Sequence, residues 1–290
     1  MADITAAMVK ELREMTGAGM MECKKALTEA EGEIDAAVDV LRTRGLAAAA
    51  KKAGRETNEG VVAALVSEDG KSAALVEVNC ETDFVSRNDV FGGYAAKVVQ
   101  AVLESDPADV DALKAAVVDG QSVEELITEA IHTIGENIQI SRFIRRSVEA
   151  GTISSYIHGG GRIGVLVLFC FKSTETAAND DFKAMAKDIA MQVAASCPGA
   201  VCRDDFDSEV VSHEMDIYRA QAAESGKPEA IQEKMALGRM EKFYKESALV
   251  EQAFIKDPDK TVRAYIEGVS KIVGDEITVV GFDRFVLGQA

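Results

Sequence analysis

Histidine is the side chain best suited to acid–base catalysis, but the three histidines of this chain do not assemble a catalytic group. His132 lies in a helical pattern, where we expect it to be packed or exposed without a chemical role, and His213 lies among polar neighbours. His158 precedes Gly159-Gly160-Gly161, a run that could suggest a phosphate-binding loop. The run lacks the Gly-Lys-Ser/Thr ending of a P-loop, so a turn is the preferred interpretation. The sequence predicts no catalytic residues.

The five cysteines form no recognisable metal or redox motif: Cys23, Cys80, Cys170, Cys197 and Cys202. No two of them form a Cys-x-x-Cys pair, and the histidines lie far apart, so no zinc site is predicted. Their number is odd and most lie in apolar patterns, which indicates reduced, buried thiols in a cytoplasmic protein. We expect neither a cofactor nor a bound metal.

A strand that leads into a short polar loop is the most informative part of the sequence. Four residues that alternate with polar or smaller ones predict a half-buried strand: Ala74, Val76, Val78 and Cys80. The strand continues directly into Thr82-Asp83-Phe84-Val85, the 82–85 segment, and a helical pattern begins only after Asn88 and Asp89. Loops supported by a rigid sheet often carry binding residues. Alternatively, Phe84 folds back onto the local core, which is the more common arrangement for a lone loop phenylalanine.

Two long motifs resemble the signatures of a known family. One spans residues 77–85 (EVNCETDFV) and the other spans residues 8–27, and shorter similarities occur at 155–159, 162–167 and 225–228. Together they extend over nearly the whole chain and are similar to the bacterial elongation factor Ts family. Members of that family are nucleotide-exchange factors for the GTPase elongation factor Tu. The resemblance therefore implies the same activity and the same partner here.

The resemblance also implies which residues contact the partner. The 82–85 segment (Thr82, Asp83, Phe84 and Val85) would dislodge Mg²⁺ from the nucleotide site of the GTPase, with Asp83 orienting the loop or contacting the partner backbone. Further contacts would come from Leu12, Met20, Met21, His158, Phe254 and Ile255. Met20 and Met21 would lie against the GTPase domain. Adjacent helix positions point about 100° apart, so we expect at least one of these two methionines to be exposed.

Two features depart from the pattern of that family. Lys256 follows Ile255 where another apolar contact residue is expected. Many members also have a further helical segment after the final strand, whereas this sequence ends at Ala290. We expect contacts made by that segment to be absent or replaced.

Composition excludes some classes of partner. There are 49 acidic and 32 basic residues, and the net charge is −17, so phosphate backbones and anionic membrane surfaces repel the chain. We therefore predict no nucleic-acid partner and no membrane partner. No apolar run approaches the roughly 20 residues that span a bilayer, and the N-terminus lacks the pattern of a secretory signal.

Residues 1–54 are predicted to form a three-helix module. Thr5 can cap a first helix with Met8, Leu12 and Met15 on one stripe, and glycines in the run 16–19 end it. A second helix begins at Met20, and a third carries an apolar stripe up to Gly45, followed by an alanine-rich run. The pattern resembles a ubiquitin-associated-type bundle, as the family implies. The polar residues 51–58 are interpreted as a linker.

The remaining chain contains an internal duplication that is visible without reference to any family. When the chain is aligned with itself at an offset of 91 residues, identical residue types coincide: Gly60 with Gly151, Val76 with Val167 and Phe91 with Phe182. At an offset of 139 residues the match resumes: Ser122 on Thr261, Gly135 on Gly274 and Ile138 on Ile277. Each copy is predicted to contain a β-hairpin, helices and a third strand (137–143 and 276–282). The two half-domains span 55–147 and 148–290.

The difference between the two offsets means that the second half contains 48 additional residues. A coiled-coil spacing over Val211, Met215, Tyr218 and Ala222 predicts one helix. Gly226-Lys227-Pro228 reverses the chain, and Ile231, Met235, Met240 and Phe243 mark a returning helix. We predict an antiparallel helical hairpin over 205–246 that projects from the second half. It could form a homodimer, lie against the GTPase or do neither, and the sequence leaves these alternatives open.

The sequence thus predicts an α+β protein: a three-helix, ubiquitin-associated-like module, then two duplicated half-domains with three-stranded antiparallel sheets, and an inserted helical hairpin. The predicted function is guanine-nucleotide exchange on elongation factor Tu, without chemistry of the chain's own. Two alternatives remain, a scaffold that holds the GTPase without changing its nucleotide, and a small-molecule enzyme with a glycine-rich pocket near His158.

Overall fold

The computed structural model describes residues 4–16 and 18–289. Within these residues the protein is a mixed α+β structure with eleven α-helices and several small antiparallel sheets, which confirms the predicted class. Gly17, which the sequence analysis assigned to the break between the first two helices, lies outside the described residues. No helix in the described ranges has both the length and the apolar character needed to cross a bilayer.

The N-terminal module contains the three predicted helices, α1 (Ala6–Thr16), α2 (Met20–Glu29) and α3 (Ile34–Lys52). The Thr5 hydroxyl accepts a hydrogen bond from the Met8 amide (3.3 Å), as expected of a helix cap. The module has its own buried core: Leu12, Ala18, Cys23, Ala26, Leu27, Ala37 and Leu41. The third helix continues through Gly45 as one helix, so the alanine-rich run belongs to it and the separate linker is short.

The first sheet unit follows. Its strands are β1 (Glu59–Val66), β2 (Ser72–Cys80), the short β3 (Val117–Val118) and β4 (Gln121–Ser122), and β5 (Ile138–Ser147). Its helices are α4 (Asp83–Ser86), α5 (Asp89–Ser105), α6 (Val110–Ala115) and α7 (Val123–Ile134). The main sheet is antiparallel with the order β1-β2-β5, so β2 is the central strand. One face of this sheet packs against α5 and α7.

The second sheet unit has the same arrangement with an insertion. Its strands are β6 (Thr152–His158), β7 (Ile163–Cys170), the short β8 (Ala253–Phe254) and β9 (Asp257–Thr261), and β10 (Thr278–Val286). Its helices are α8 (Asp180–Ser196), α9 (Ser208–Ala223), α10 (Glu229–Ser247) and α11 (Val262–Val273), with 3-10 turns at Thr176–Ala178, Arg203–Asp205 and Leu249–Glu251. The order β6-β7-β10 again has the second strand of the hairpin in the centre.

The two sheets pack face to face. Their shared apolar layer consists of Val62, Ala73, Leu75, Ile153 and Leu166, with partly buried neighbours around it. The strand β2 is consequently buried on both faces, and its prediction as a half-buried strand was wrong. The alternation of apolar with polar or smaller residues suggested that one face of β2 is in water, but that face is covered by the other sheet.

Glycines and caps recur at matching positions of the two units. Gly60 and Gly151 both have positive φ (149° and 95°), and a Cβ at either position would clash with a backbone carbonyl of the neighbouring strand. The hydroxyls of Ser122 and Thr261 cap α7 and α11 by accepting backbone amides, at 3.3 and 3.2 Å. These correspondences follow the two sequence offsets. They are compatible with a duplication, which remains an inference.

The helices α9 and α10 form a hairpin that packs mainly on itself and, at its base, on the Leu249–Glu251 turn. Ala222, Ala236 and Met240 are its buried residues. Ile231, one of the apolar residues that predicted the returning helix, lies in α10 and is 46% exposed. Ala236 in α10 is fully buried.

The segment after β10 returns to the first sheet. Glu77, which is buried in β2, accepts hydrogen bonds from Arg142 Nε (2.8 Å), Asn79 Nδ2 (3.2 Å) and the backbone amide of Gly288 (2.8 Å). The guanidinium of Arg142 also donates to the carbonyl of Val286 (2.8 Å). A buried charge is tolerated when it is paired and hydrogen-bonded in this way. The two units are therefore joined by polar contacts as well as by the apolar layer.

Candidate functional site

The 82–85 segment forms most of a single helical turn, α4, between β2 and α5. The sequence predicted a loop without helix, and the difference arises from Thr82, whose hydroxyl accepts the Val85 amide (3.4 Å) as a cap. Val85 packs against the first core. Phe84 points the other way and is 84% exposed. The alternative in which Phe84 folds back onto its own core is excluded.

A carboxylate from another part of the chain holds this turn. Glu136 Oε2 accepts the backbone amides of Glu81 and Thr82, both at 3.0 Å, and Glu136 Oε1 accepts the Thr82 hydroxyl at 2.6 Å. Hydrogen bonds to a carboxylate are stronger than those between neutral groups. The end of β2 and the cap of α4 are thus fixed by one side chain.

A reciprocal contact fixes Glu136 in turn. The Glu81 carboxylate accepts the backbone amide of Asn137 (2.6 Å) and lies 3.3 Å from the guanidinium of Arg55. The Asn137 amide group donates to the Arg55 carbonyl (2.8 Å). The connection between α7 and β5 is therefore tied to the end of β2 from both sides.

Two further contacts lie within the turn. The Cys80 thiol donates to the Thr82 carbonyl (3.2 Å), and burial raises the pKa of this thiol to about 12, with the Glu136 charge adding to the effect. Asp83 pairs with Arg87 one turn later (3.1 Å). No group of three or more potential metal ligands occurs within residues 4–16 and 18–289. Asp83 is therefore placed as a turn residue with a local basic partner.

The helical module presents Met20 and Met21 at the start of α2, where they are 61% and 67% exposed. Leu12, also predicted to contact the partner, is fully buried in the core of the module. Its position in the apolar stripe of α1 already indicated a core role. On the other side of α2, Glu22 lies 2.9 Å from Nε2 of His132 on α7. The helix α7 therefore supports both α2 and, beyond its C-terminal end, the turn with Phe84.

His158 lies exposed at the tip of β6, with its Nδ1 3.0 Å from the Tyr156 hydroxyl. The same tip contacts the first sheet, since Val62 donates its amide to the Gly161 carbonyl (2.7 Å). Arg162 in this turn lies 3.6 Å from Glu59, which pairs with Cys80 across the sheet. The turn with His158 and the 82–85 segment consequently lie at the same end of the two sheets.

Phe254 and Ile255 differ in exposure. Phe254, predicted to contact the partner, is buried and stacks on Tyr265 with ring centroids 4.3 Å apart. Ile255 is exposed, and its backbone amide donates to Gln192 of α8 (2.8 Å). The ammonium group of Lys256 pairs with Asp188 (2.6 Å), so it is directed toward the protein itself.

Comparison with known proteins identifies a family that the chain resembles over nearly its whole length. The model of the family described as elongation factor TS matches residues 81–289. A protein of Trichlorobacter lovleyi named elongation factor Ts is 47% identical over 289 residues, covering 99% of this chain and 93% of its own length. The proteins of that name from Clostridium perfringens (51% over 288 residues; 99% and 93%) and Desulfovibrio desulfuricans (48% over 289 residues; 99% and 99%) are equally similar.

The chain belongs to the elongation factor Ts family. The resemblance found in the sequence motifs is thereby confirmed. As a member of the elongation factor Ts family, the chain is an elongation factor of protein biosynthesis. Matches to these relatives extend over the helical module as well as over both sheet units, because they cover 99% of the chain.

Sequence reasoning missed Glu136, the residue that holds the turn of this elongation factor Ts family member. A signal was present in the internal repeat. At the offset of 139 residues Glu136 falls on Asp275, and both acidic residues directly follow the glycine that ends a helix, Gly135 or Gly274. An acidic residue at this position in both sheet units indicates a structural contact that each unit makes.

Proposed function

We propose that this chain is a guanine-nucleotide exchange factor for elongation factor Tu that acts in the cytoplasm during translation elongation. Membership of the elongation factor Ts family supports the partner and the exchange activity. The finer proposal, that the 82–85 segment disturbs the Mg²⁺ and phosphate site of the GTPase, rests on one observation. Phe84 is held almost fully in solvent on a turn whose backbone is fixed by Glu136.

The proposed mechanism follows from the unfavourable free energy of exposing the Phe84 ring to water. Burying a phenylalanine side chain is worth about 1.5–3 kcal/mol, which the ring gains only when a pocket opens in the partner. In P-loop GTPases Mg²⁺ bridges the phosphates and is held by protein oxygens, so opening a pocket beside it loosens the nucleotide. Linkage is reciprocal, and incoming nucleotide therefore displaces the factor again. The chain supplies binding energy for this cycle and performs no hydrolysis.

One aromatic wedge does not account for a large acceleration, since its burial corresponds to about one to two decades in an equilibrium constant. A wider docking surface has to supply the remainder. Met20 and Met21 on α2, His158 at the end of β6 and the exposed Ile255 are the remaining candidates for this surface. A net charge of −17 argues against direct contact with RNA during the same process.

We further infer that the two sheet units arose by duplication and diverged at the turn. The matching strand orders, glycine positions and helix caps support this inference. The second unit has Glu175 at the position of Phe84, 91 residues later. Only the first unit thus carries an aromatic side chain at this turn, and the exchange activity is assigned to that unit.

Release of a fluorescent GDP analogue from purified elongation factor Tu, followed by stopped flow, tests the proposal. We expect Phe84→Ala to lower the release rate at saturating factor by about ten- to a hundred-fold, while the half-saturating concentration changes little. Val117→Ala, which removes an exposed apolar side chain elsewhere, serves as the matched control. Wild-type protein that binds the GTPase without accelerating release would instead support a scaffold.

The magnesium step has its own test. Excess chelator removes Mg²⁺ from the GTPase even when no factor is present. If Phe84 accelerates GDP release by disturbing the surroundings of Mg²⁺, it can then no longer increase the release rate. We expect the ratio of wild-type to Phe84→Ala release rates to approach one in chelator. An unchanged ratio means that Phe84 accelerates release by another route.

A further inference from the structure

We propose that Glu136 is a positioning residue for nucleotide exchange, because its carboxylate fixes the 82–85 segment in the conformation that presents Phe84. This inference rests on the proposed function, in which Phe84 is the wedge. Glu136 itself lies 52 positions after Phe84 in the sequence, and it acts through the turn rather than on the partner.

The Glu136 carboxylate accepts three hydrogen bonds where β2 meets the 82–85 segment. Glu136 accepts two consecutive backbone amides, of Glu81 and Thr82, at the point where β2 ends. It also accepts the Thr82 hydroxyl (2.6 Å), which orients the oxygen lone pairs of Thr82 toward the Val85 amide. The cap that starts α4 is therefore part of the same hydrogen-bonded chain. Phe84 lies in the middle of the turn that this chain closes.

The position of the carboxylate is itself constrained. Gly135 ends α7 in the left-handed conformation (φ 90°), and the next backbone amide, of Asn137, is held by Glu81. Both flanks of Glu136 are thus fixed by the first unit. A rigidly supported turn lowers the entropy lost when Phe84 enters its pocket in the partner.

The second unit contains the same clamp without the aromatic side chain. Asp275 accepts the backbone amides of Lys172 (3.2 Å) and Ser173 (2.8 Å) and the hydroxyl of Thr176 (2.7 Å). Lys172 and Ser173 are the counterparts of Glu81 and Thr82 at the offset of 91 residues. Asp275 therefore offers a matched control that removes an equivalent clamp from a turn without a wedge.

The experiment compares Glu136→Gln with Asp275→Asn in the complete chain, using release of the fluorescent GDP analogue. Glutamine retains the size of glutamate but has no charge and a single acceptor oxygen, so the two backbone amides lose a charged acceptor and the contact with the Thr82 hydroxyl remains only with its direction reversed. We expect Glu136→Gln to lower the release rate at saturating factor about ten-fold, with a smaller change in the half-saturating concentration. Asp275→Asn should release GDP at the wild-type rate.

Two readouts separate positioning from a general loss of stability. If Glu136 acts through Phe84, Phe84→Ala combined with Glu136→Gln should be no slower than Phe84→Ala alone, because coupled residues are not additive. Amide hydrogen exchange at residues 81 and 82 should accelerate in Glu136→Gln. Where Glu136→Gln does not fold, Thr82→Val removes the hydroxyl that donates to Glu136 and caps α4, and it should also lower the release rate.

The possible failures are distinguishable. Wild-type release by Glu136→Gln, together with slow release by Phe84→Ala, overturns the positioning role and leaves the proposed function intact. Unchanged release by Phe84→Ala overturns the proposed wedge itself. Equal slowing by Glu136→Gln and Asp275→Asn also overturns the positioning role, since loss of stability would then explain both.

Discussion

At Cys80, the surroundings of the turn change the chemistry of a single side chain. The thiol is buried, donates a hydrogen bond to the Thr82 carbonyl and lies near the Glu136 charge. Burial disfavours the thiolate because it removes the water that would hydrate the charge, and the negative charge of Glu136 disfavours the thiolate further. The thiol lies two residues before an exposed turn, yet its surroundings are those of a core residue.

We expect Cys80 to resist modification by a thiol reagent at pH 8. With a pKa of about 12, only roughly 10⁻⁴ of the thiol is ionised at that pH, and the thiolate is the reactive species. Cys197 is exposed and should react first. Mass spectrometry of partly labelled protein gives the order of reaction. Labelling of Cys80 as rapid as that of Cys197 would contradict the buried arrangement.

Helix geometry predicted that at least one of Met20 and Met21 is exposed, and both are. The exposure of Phe84 followed from the family resemblance, because its place in a loop alone favoured packing onto the core. An apolar pattern does not separate core residues from contact residues: Leu12 and Phe254, both predicted to contact the partner, are buried within the chain. Glu136 could not be found from local pattern, because its hydrogen bonds join residues 54 and 55 positions apart.

Among the elements, the base of the helical hairpin contains a set of charged contacts centred on Arg203. Arg203 donates to Glu251 (2.6 and 2.7 Å) and to Glu241 of α10 (3.0 and 3.1 Å), and its guanidinium lies over the ring of Tyr244 (4.7 Å). The hydrogen bonds from Arg203 hold the pKa of Glu251 below its usual value. One arginine thus joins the base of the hairpin to the second unit.

We expect Glu251→Gln to lower the free energy of unfolding by about 1 kcal/mol at pH 7, measured by denaturant titration. The folded pKa of Glu251 lies below the unfolded one, so its contribution is present above about pH 4.3 and is lost as the pH falls through the folded pKa. The difference between wild type and variant should therefore shrink in acid.

Glu233→Gln is the matched control for this ion pair. Glu233 pairs with Arg219 near the turn of the hairpin, where both side chains are about half exposed. Exposed pairs contribute little, so we expect a smaller change in stability. A difference for Glu251→Gln that does not depend on pH would mean that packing, rather than charge, carries the effect.

Helices and strands followed the apolar periodicity well, because each of them needs one face in a core. The apolar periodicity did not predict that β2 is buried on its second face or that Ile231 is exposed. Both depend on a neighbour far away in the sequence, the second sheet in one case and the opposing helix in the other. The single turn α4 was missed because it depends on a cap rather than on periodicity.

On the scale of the whole molecule, the contact between the two sheets is close enough to require glycine at one position. A Cβ at Gly164 on β7 would clash with Cγ1 of Val62 and would lie 3.2 Å from both Leu75 Cδ2 and Ile157 Cδ1. Val62 and Leu75 belong to the layer between the sheets and have little space to move. The two units are therefore packed as tightly as a single core.

We expect Gly164→Ala to destabilise the protein by about 1–3 kcal/mol, measured by denaturant titration. The added methyl group forces the sheets apart or moves a stiff Val62 side chain. Gly281→Ala in the same sheet is the control, since its nearest neighbour, Leu168 Cδ2, would lie 4.0 Å away. Equal stability of the two variants would show that the sheets can separate without cost.

The hydrogen bond between Glu77 and Gly288 has a consequence for the order in which the protein is completed. The ribosome adds Gly288 211 residues after Glu77, by which time β1, β2 and β5 have all been synthesised. Until then the buried carboxylate lacks a backbone donor that its native environment supplies. The first sheet to be made is thus the one whose polar interior is finished by the segment that follows β10.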